Sequence, residues 1–139
     1  IAKSKGGKTN INAALAPIDV IVTEKEIILK PILFEYNKSN ITQDAAFELD
    51  KLVQVMRNND NLIIMVKSHT DNKGSDAYNM ELSDRRAKST VQYVISKGIS
   101  SSRISGKGYG ESEPKVDCKE NCTPEQDAIN RRSDFLIVK

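Results

Sequence analysis

The 139-residue sequence predicts an α+β fold, a two-layer sandwich in which a mixed β-sheet carries its helices on one face. Three observations lead there. β-Branched runs of strand length open, divide and close the chain; two segments between them show helical apolar spacing; and a 38% apolar content is enough for one ordinary core.

Residues 1–16, IAKSKGGKTNINAALA, are basic and rich in Gly, Ser and Asn without a sustained period, so they read as a linker or tail. The domain is expected over 17–139. Apolar runs at 18–22 and 27–33 flank the polar Thr23-Glu24-Lys25-Glu26 and predict strand, turn, strand, with Pro31 marking an edge or bulge. From Thr42, Ala45, Leu49, Leu52, Val53 and Met56 recur at three- and four-residue spacing, an amphipathic helix that ends by Asn58-Asn59-Asp60. Residues 62–66 form a continuous apolar strand, and SHTDNKG, 68–74, is its exit loop.

A second helix comes next, with Ser75 as N-cap and Gly98 as its stop. At 100° per residue, Met80, Ala87, Val91, Val94 and Ile95 share a stripe, and Asn79 and Arg86 project together at its shoulder. A short strand near 103–107 and a final one over 134–139 complete the order. Between them DCKENCTPE reads as a loop.

Charge is balanced, 21 basic against 19 acidic residues, with four tyrosines, three phenylalanines and no tryptophan, so nucleic acid is not an expected partner. No apolar run approaches the roughly 20 residues of a membrane-spanning helix. The sequence opens at Ile1 rather than Met, which suggests a fragment or processed form with any signal peptide or further domain outside it. Cys118 and Cys122 are compatible with a local disulfide, half a zinc site or two separate thiols; zinc needs about four ligands, and His69 is the single histidine, so a disulfide is favoured.

His69 has no evident nucleophile or acid partner and reads as a strand-end histidine bonded to backbone. DNKGSD fails as a calcium loop because Lys73 and Leu82 occupy ligand positions. GKGYGE places Glu111 where a phosphate cradle needs its last glycine, and reads as a glycine-rich turn beside a strand. No cofactor or metal is expected. Asp71 at the strand exit and Arg86 and Asn79 on the next helix can converge, either as a structural ion pair or as a zwitterion site in which carboxylate meets ammonium and guanidinium meets carboxylate.

Thr70-Asp71, Gly74, Asn79, Leu82-Ser83, Arg86-Ala87, the stretch GKGYGESEP and Asn130-Arg131-Arg132, with FEYNKSNI upstream, together resemble the OmpA-like peptidoglycan-binding domain over about residues 30–139. The resemblance implies binding without catalysis, to the meso-diaminopimelate residue of the peptidoglycan stem peptide. Asp71 would then pair with the ligand ammonium and Arg86 with its carboxylate, Asn79 and Asn37 would add hydrogen bonds, Leu82 would wall the pocket, and Arg131 rather than Arg132 would assist. It also implies a periplasmic domain of an outer-membrane protein from a Gram-negative bacterium, anchoring that membrane to the cell wall. A flagellar-stator type wall anchor is the alternative within the same class. A peptidoglycan-acting enzyme using His69 and Asp71 lacks an accompanying nucleophile or metal set. Ser133 stands where the family often has an apolar residue, and the cysteine loop is expected to be a staple whose loss leaves binding largely intact.

Overall fold

The structure, a computed structural model, describes residues 20–138. The expected linker at 1–16 and the first residues of the expected opening strand lie outside them. Strand β1 (Ile21–Val22) pairs antiparallel with β2 (Glu26–Ile28). Their turn is tied by Thr23, whose hydroxyl oxygen accepts from Glu26 N at 3.0 Å while donating to Glu26 O at 3.0 Å. β2 ends at Ile28, short of the expected 33. Lys30 N turns away to Glu48 Oε1 at 3.2 Å, and Pro31 has no N–H to continue a ladder. The chain from 29 to 41 therefore runs as irregular backbone up to the first helix.

Helix α1 (Gln43–Arg57) is capped by the Thr42 hydroxyl, which accepts from Ala45 N at 3.1 Å, and buries Ala45, Leu49, Leu52, Val53 and Met56 as its spacing predicts. Strand β3 (Ile64–His69) follows, then helix α2 (Asp76–Ser96), strand β4 (Ile104–Gly110), helix α3 (Pro124–Asn130) and strand β5 (Ser133–Ile137). The sheet order is β1-β2-β5-β3-β4, with β3 parallel to β4 and antiparallel to β5. This is a mixed, open five-stranded sheet in an α+β fold. Val22, Ile27, Ile64, Val66 and Phe135 from the strands join Leu49, Leu52 and Met56 of α1 and Val94 of α2 in one core.

Two sequence expectations change here. The buried face of α2 comprises Asn79, Leu82, Ser83, Arg86, Ala87, Thr90 and Val94, whereas Met80 is 45% exposed. Asn79 and Arg86 thus lie in the buried stripe itself, not at its shoulder. The cause is in GKGYG, which is the strand β4 rather than a turn. A Cβ on Gly108 would sit 2.1 Å from Asp84 N, and one on Gly106 2.8 Å from a Val91 methyl, so the glycines let α2 lie directly on the strand. Ser83 Oγ accepts from Gly110 N at 2.8 Å, and Asp84 Oδ1 from Gly108 N at 3.1 Å. Polar residues hold that seam, and the stripe rotates accordingly.

The second change is α3, which begins within the stretch DCKENCTPE read as a loop and continues past it. Thr123 accepts from Gln126 N while Gln126 Oε1 accepts from Thr123 N, a capping box with Pro124 opening the helix. Cys118 and Cys122 are joined by a disulfide just ahead of it.

Candidate functional site

Because β5 runs antiparallel to β3, the exit of β3 and the entry to β5 meet at one end of the sheet. The start of α2 and the irregular 29–41 segment close over that end, around a cavity of about 490 Å³. Asn37, Asp71, Asn79, Leu82, Arg86 and Arg131 all line it. Asp71 and Arg131, 60 residues apart in sequence, are brought together where the paired strands β3 and β5 end and begin.

Asp71 forms an Asx turn, its Oδ1 accepting from Lys73 N at 3.0 Å. Its Oδ2 accepts from Arg131 Nη1 at 2.7 Å. Asp71 thus pairs with Arg131, and the direct Asp71–Arg86 ion pair that residue types alone allowed does not form. Arg132 also lines the cavity, but its Nη2 donates to Glu113 O at 3.0 Å and its Nε lies 3.3 Å from Asp134 Oδ2.

Arg86 is 9% exposed. Its Nε donates to Lys38 O at 2.8 Å and its Nη2 to Glu35 O at 3.1 Å, while Phe34 lies under the guanidinium at 4.9 Å. Among the described residues Nη1 has no acceptor. Burial lowers the Arg86 pKa from its ordinary value; the Tyr78 phenol opposes that, Arg85 and Arg131 add to it, and Asp71 opposes it. Arg86 therefore holds the 29–41 segment in place and offers one remaining edge to the cavity. Within that segment Asn37 is exposed and takes a left-handed φ of 61°, a conformation asparagine tolerates. Leu82, 6% exposed, supplies apolar wall.

Asn79 is 2% exposed and its amide points back into the protein. Nδ2 donates to Lys73 O at 2.8 Å and Glu111 Oε1 at 2.7 Å, with Asp71 O at 3.4 Å. It pins the Asp71 loop to α2 and to the end of β4.

His69 is buried at the wall of the same cavity, its ring stacked on Tyr109 with centroids 5.8 Å apart and its Nε2 3.2 Å from Asp134 Oδ2. The neighbour of its side chain is a carboxylate, not the backbone expected from sequence. Burial raises the Asp134 pKa, but His69, Arg132 and Lys115 outweigh it and hold the carboxyl below its ordinary value.

Several supporting residues escaped sequence reading. Asn72 donates through Nδ2 to Lys119 O, and Lys73 Nζ lies 3.0 Å from Asp127 Oδ2 of α3. Together with Asp71–Arg131, three successive loop residues each reach the segment that contains the disulfide and α3. Asn130, 3% exposed, ties that segment down: its Oδ1 accepts from Lys115 N and Val116 N, and its Nδ2 donates to Val116 O. The capping-box pattern Thr123-Pro124-Glu125-Gln126 was the available signal for α3.

Compared with known proteins, residues 33–131 match the OmpA family. The chain belongs to the OmpA family. All six candidate site residues lie inside the OmpA-family match. Outer membrane protein A of Shigella flexneri is 41% identical over 103 residues, 73% of this chain and 30% of that protein; its counterpart in Citrobacter freundii is 40% identical over 103 residues, 73% of this chain and 43% of that protein. The chain thus spans less than half the length of these OmpA-family relatives. Among solved structures, a MotB-like protein from Desulfovibrio vulgaris superposes with a TM-score of 0.68 at 26% identity, covering 76% of this chain and 67% of that one. The cell wall anchor of the T6SS from Pseudomonas aeruginosa gives 0.70 at 21% identity, with 85% of each chain covered, and so shares the OmpA-like fold.

Proposed function

We propose that this domain binds the stem peptide of peptidoglycan without covalent chemistry, gripping the amino-acid head of meso-diaminopimelate, and thereby anchors an outer membrane to the cell wall. The observation that carries the reading is that Asp71, Arg86 and Arg131 line one cavity, with Asp71 paired to Arg131 and Arg86 Nη1 without an acceptor among the described residues. The diaminopimelate head bears an ammonium and a carboxylate on one carbon, matching that pair of charges. Asn37 and Leu82 line the approach, and Asn79 serves by holding the loop that aims Asp71. The family relatives named for the outer membrane support a periplasmic location and an outer-membrane parent. The likeness to a MotB-like protein keeps a flagellar-stator type of wall anchor as the second reading.

Catalysis is not needed for this function; His69 is 3% exposed and its Nε2 lies 3.2 Å from Asp134 Oδ2. Calorimetric titration with a diaminopimelate-containing muropeptide tests the function. Binding should weaken by about 2 kcal/mol or more, roughly 30-fold, in Asp71→Ala and in Arg86→Ala, since each change leaves a ligand charge desolvated and unpaired. Circular dichroism confirms that the variants fold, with Asp71→Asn and Arg86→Lys as milder replacements. Unchanged affinity in folded variants at both positions refutes the assignment.

A further inference from the structure

The ion pair between Asp71 and Arg131 bears on ligand selectivity, a role that rests on the binding function proposed for the cavity. Both oxygens of the Asp71 carboxylate are engaged: Oδ1 by Lys73 N at 3.0 Å and Oδ2 by Arg131 Nη1 at 2.7 Å. An ammonium that reaches Asp71 has to compete with a guanidinium already there. The Arg131 side chain is 49% exposed, against 14% for Asp71, so the arginine is the partner with room to swing. It also lies near enough to Arg86 for the two cations to repel.

We infer that Arg131 is a specificity-determining gate: it occupies Asp71 until a ligand carboxylate draws it across to the Arg86 side, so that only a head carrying both charges gains from binding. A zwitterion breaks one ion pair and makes new ones at Asp71, Arg86 and Arg131. A ligand with an ammonium alone exchanges one cation on Asp71 for another and leaves two guanidiniums facing each other with no anion between them. Discrimination thus comes from two directions, attraction of the carboxylate by Arg86 and rejection of the lone ammonium by Arg131.

This assigns Arg131 an effect of opposite sign on two ligands, which a simple carboxylate contact would not have. Three tripeptides serve as probes: L-Ala-γ-D-Glu-meso-diaminopimelate, the same peptide with the side-chain carboxylate of diaminopimelate amidated, and the L-lysine analogue. Each is titrated calorimetrically into wild type, Arg131→Gln, Arg131→Lys and Arg86→Gln. In Arg131→Gln the amidated and lysine peptides should bind about two- to fivefold tighter, the scale of a partly exposed ion pair removed as competitor, while the acid peptide binds more weakly. Arg131→Lys, which keeps the charge, should retain most of the wild-type ranking. Arg86→Gln should weaken the acid peptide without tightening the other two. If the amidated and lysine peptides bind Arg131→Gln no better than wild type, Arg131 is not a gate, even though the binding function stands. If wild type binds none of the three, the binding function itself falls and the gate with it.

Discussion

Tyr93 donates from its hydroxyl to Asp50 Oδ1 at 2.6 Å, stitching α2 to α1 outside the core. Burial, then the hydrogen bond and charge of Asp50, push the Tyr93 pKa up to about 12. A raised value in the folded protein means that the tie is intact below the ordinary tyrosine value near 10 and is lost as pH climbs through about 12. In a titration of phenolate absorbance, the last of the four tyrosines should ionise near that upper value, and Tyr93→Phe should remove this component and no other. At this scale the sequence was readable for Ser75, whose cap reaches Tyr78 three residues on, although the equally local Thr123–Gln126 box went unread. It was unreadable for His69. Its partner Asp134 comes from another strand, and residue type alone cannot name it.

Two elements determine how firmly the site is built. The first is the α2–β4 seam, where Gly108 has no space for a side chain. Gly108→Ala must push α2 off the strand, and urea denaturation should show a loss of about 1–3 kcal/mol, the usual cost of overpacking. Because α2 carries Arg86 and Asn79, the same change should weaken ligand binding. The second is the segment containing Cys118, Cys122 and α3. Sequence treated it as a passive staple, but Asn72, Lys73 and Asp71 each bond to it. Reduction of the disulfide, or Cys118→Ser with Cys122→Ser, should loosen the Lys119 carbonyl that holds Asn72 and lower muropeptide affinity by roughly two- to tenfold, the worth of one hydrogen bond. Calorimetry with and without a reductant measures it, and identical affinities would return the segment to the staple role.

For the whole molecule, the apolar periods made the α+β class, both long helices, the central strand and the last strand legible, because each of those elements buries a face in a regular pattern. β2 was overextended since its apolar run continues past Ile28 into irregular chain that is partly buried by packing rather than by pairing. α3 was missed since it is a short helix with little apolar periodicity, Ile129 being 47% exposed, so that only its cap announces it. The six site residues were named through family resemblance. Spacing alone placed Asp71, Asn79 and Arg86 near one another, but it misjudged the depth of α2 and gave no hint that Asp71 would meet Arg131.

The two arginines of the pocket are held by long-range contacts: Arg131 to Asp71 spans 60 residues, and Arg86 to Lys38 and Glu35 spans 48 and 51. None of these can form until the chain from the 29–41 segment to the entry of β5 has closed its loops, and such closures are the slow part of folding. Helices α1 and α2 can gain their structure early from local contacts. On the binding function proposed above, the grip on a ligand rests on contacts that only a fully closed chain supplies.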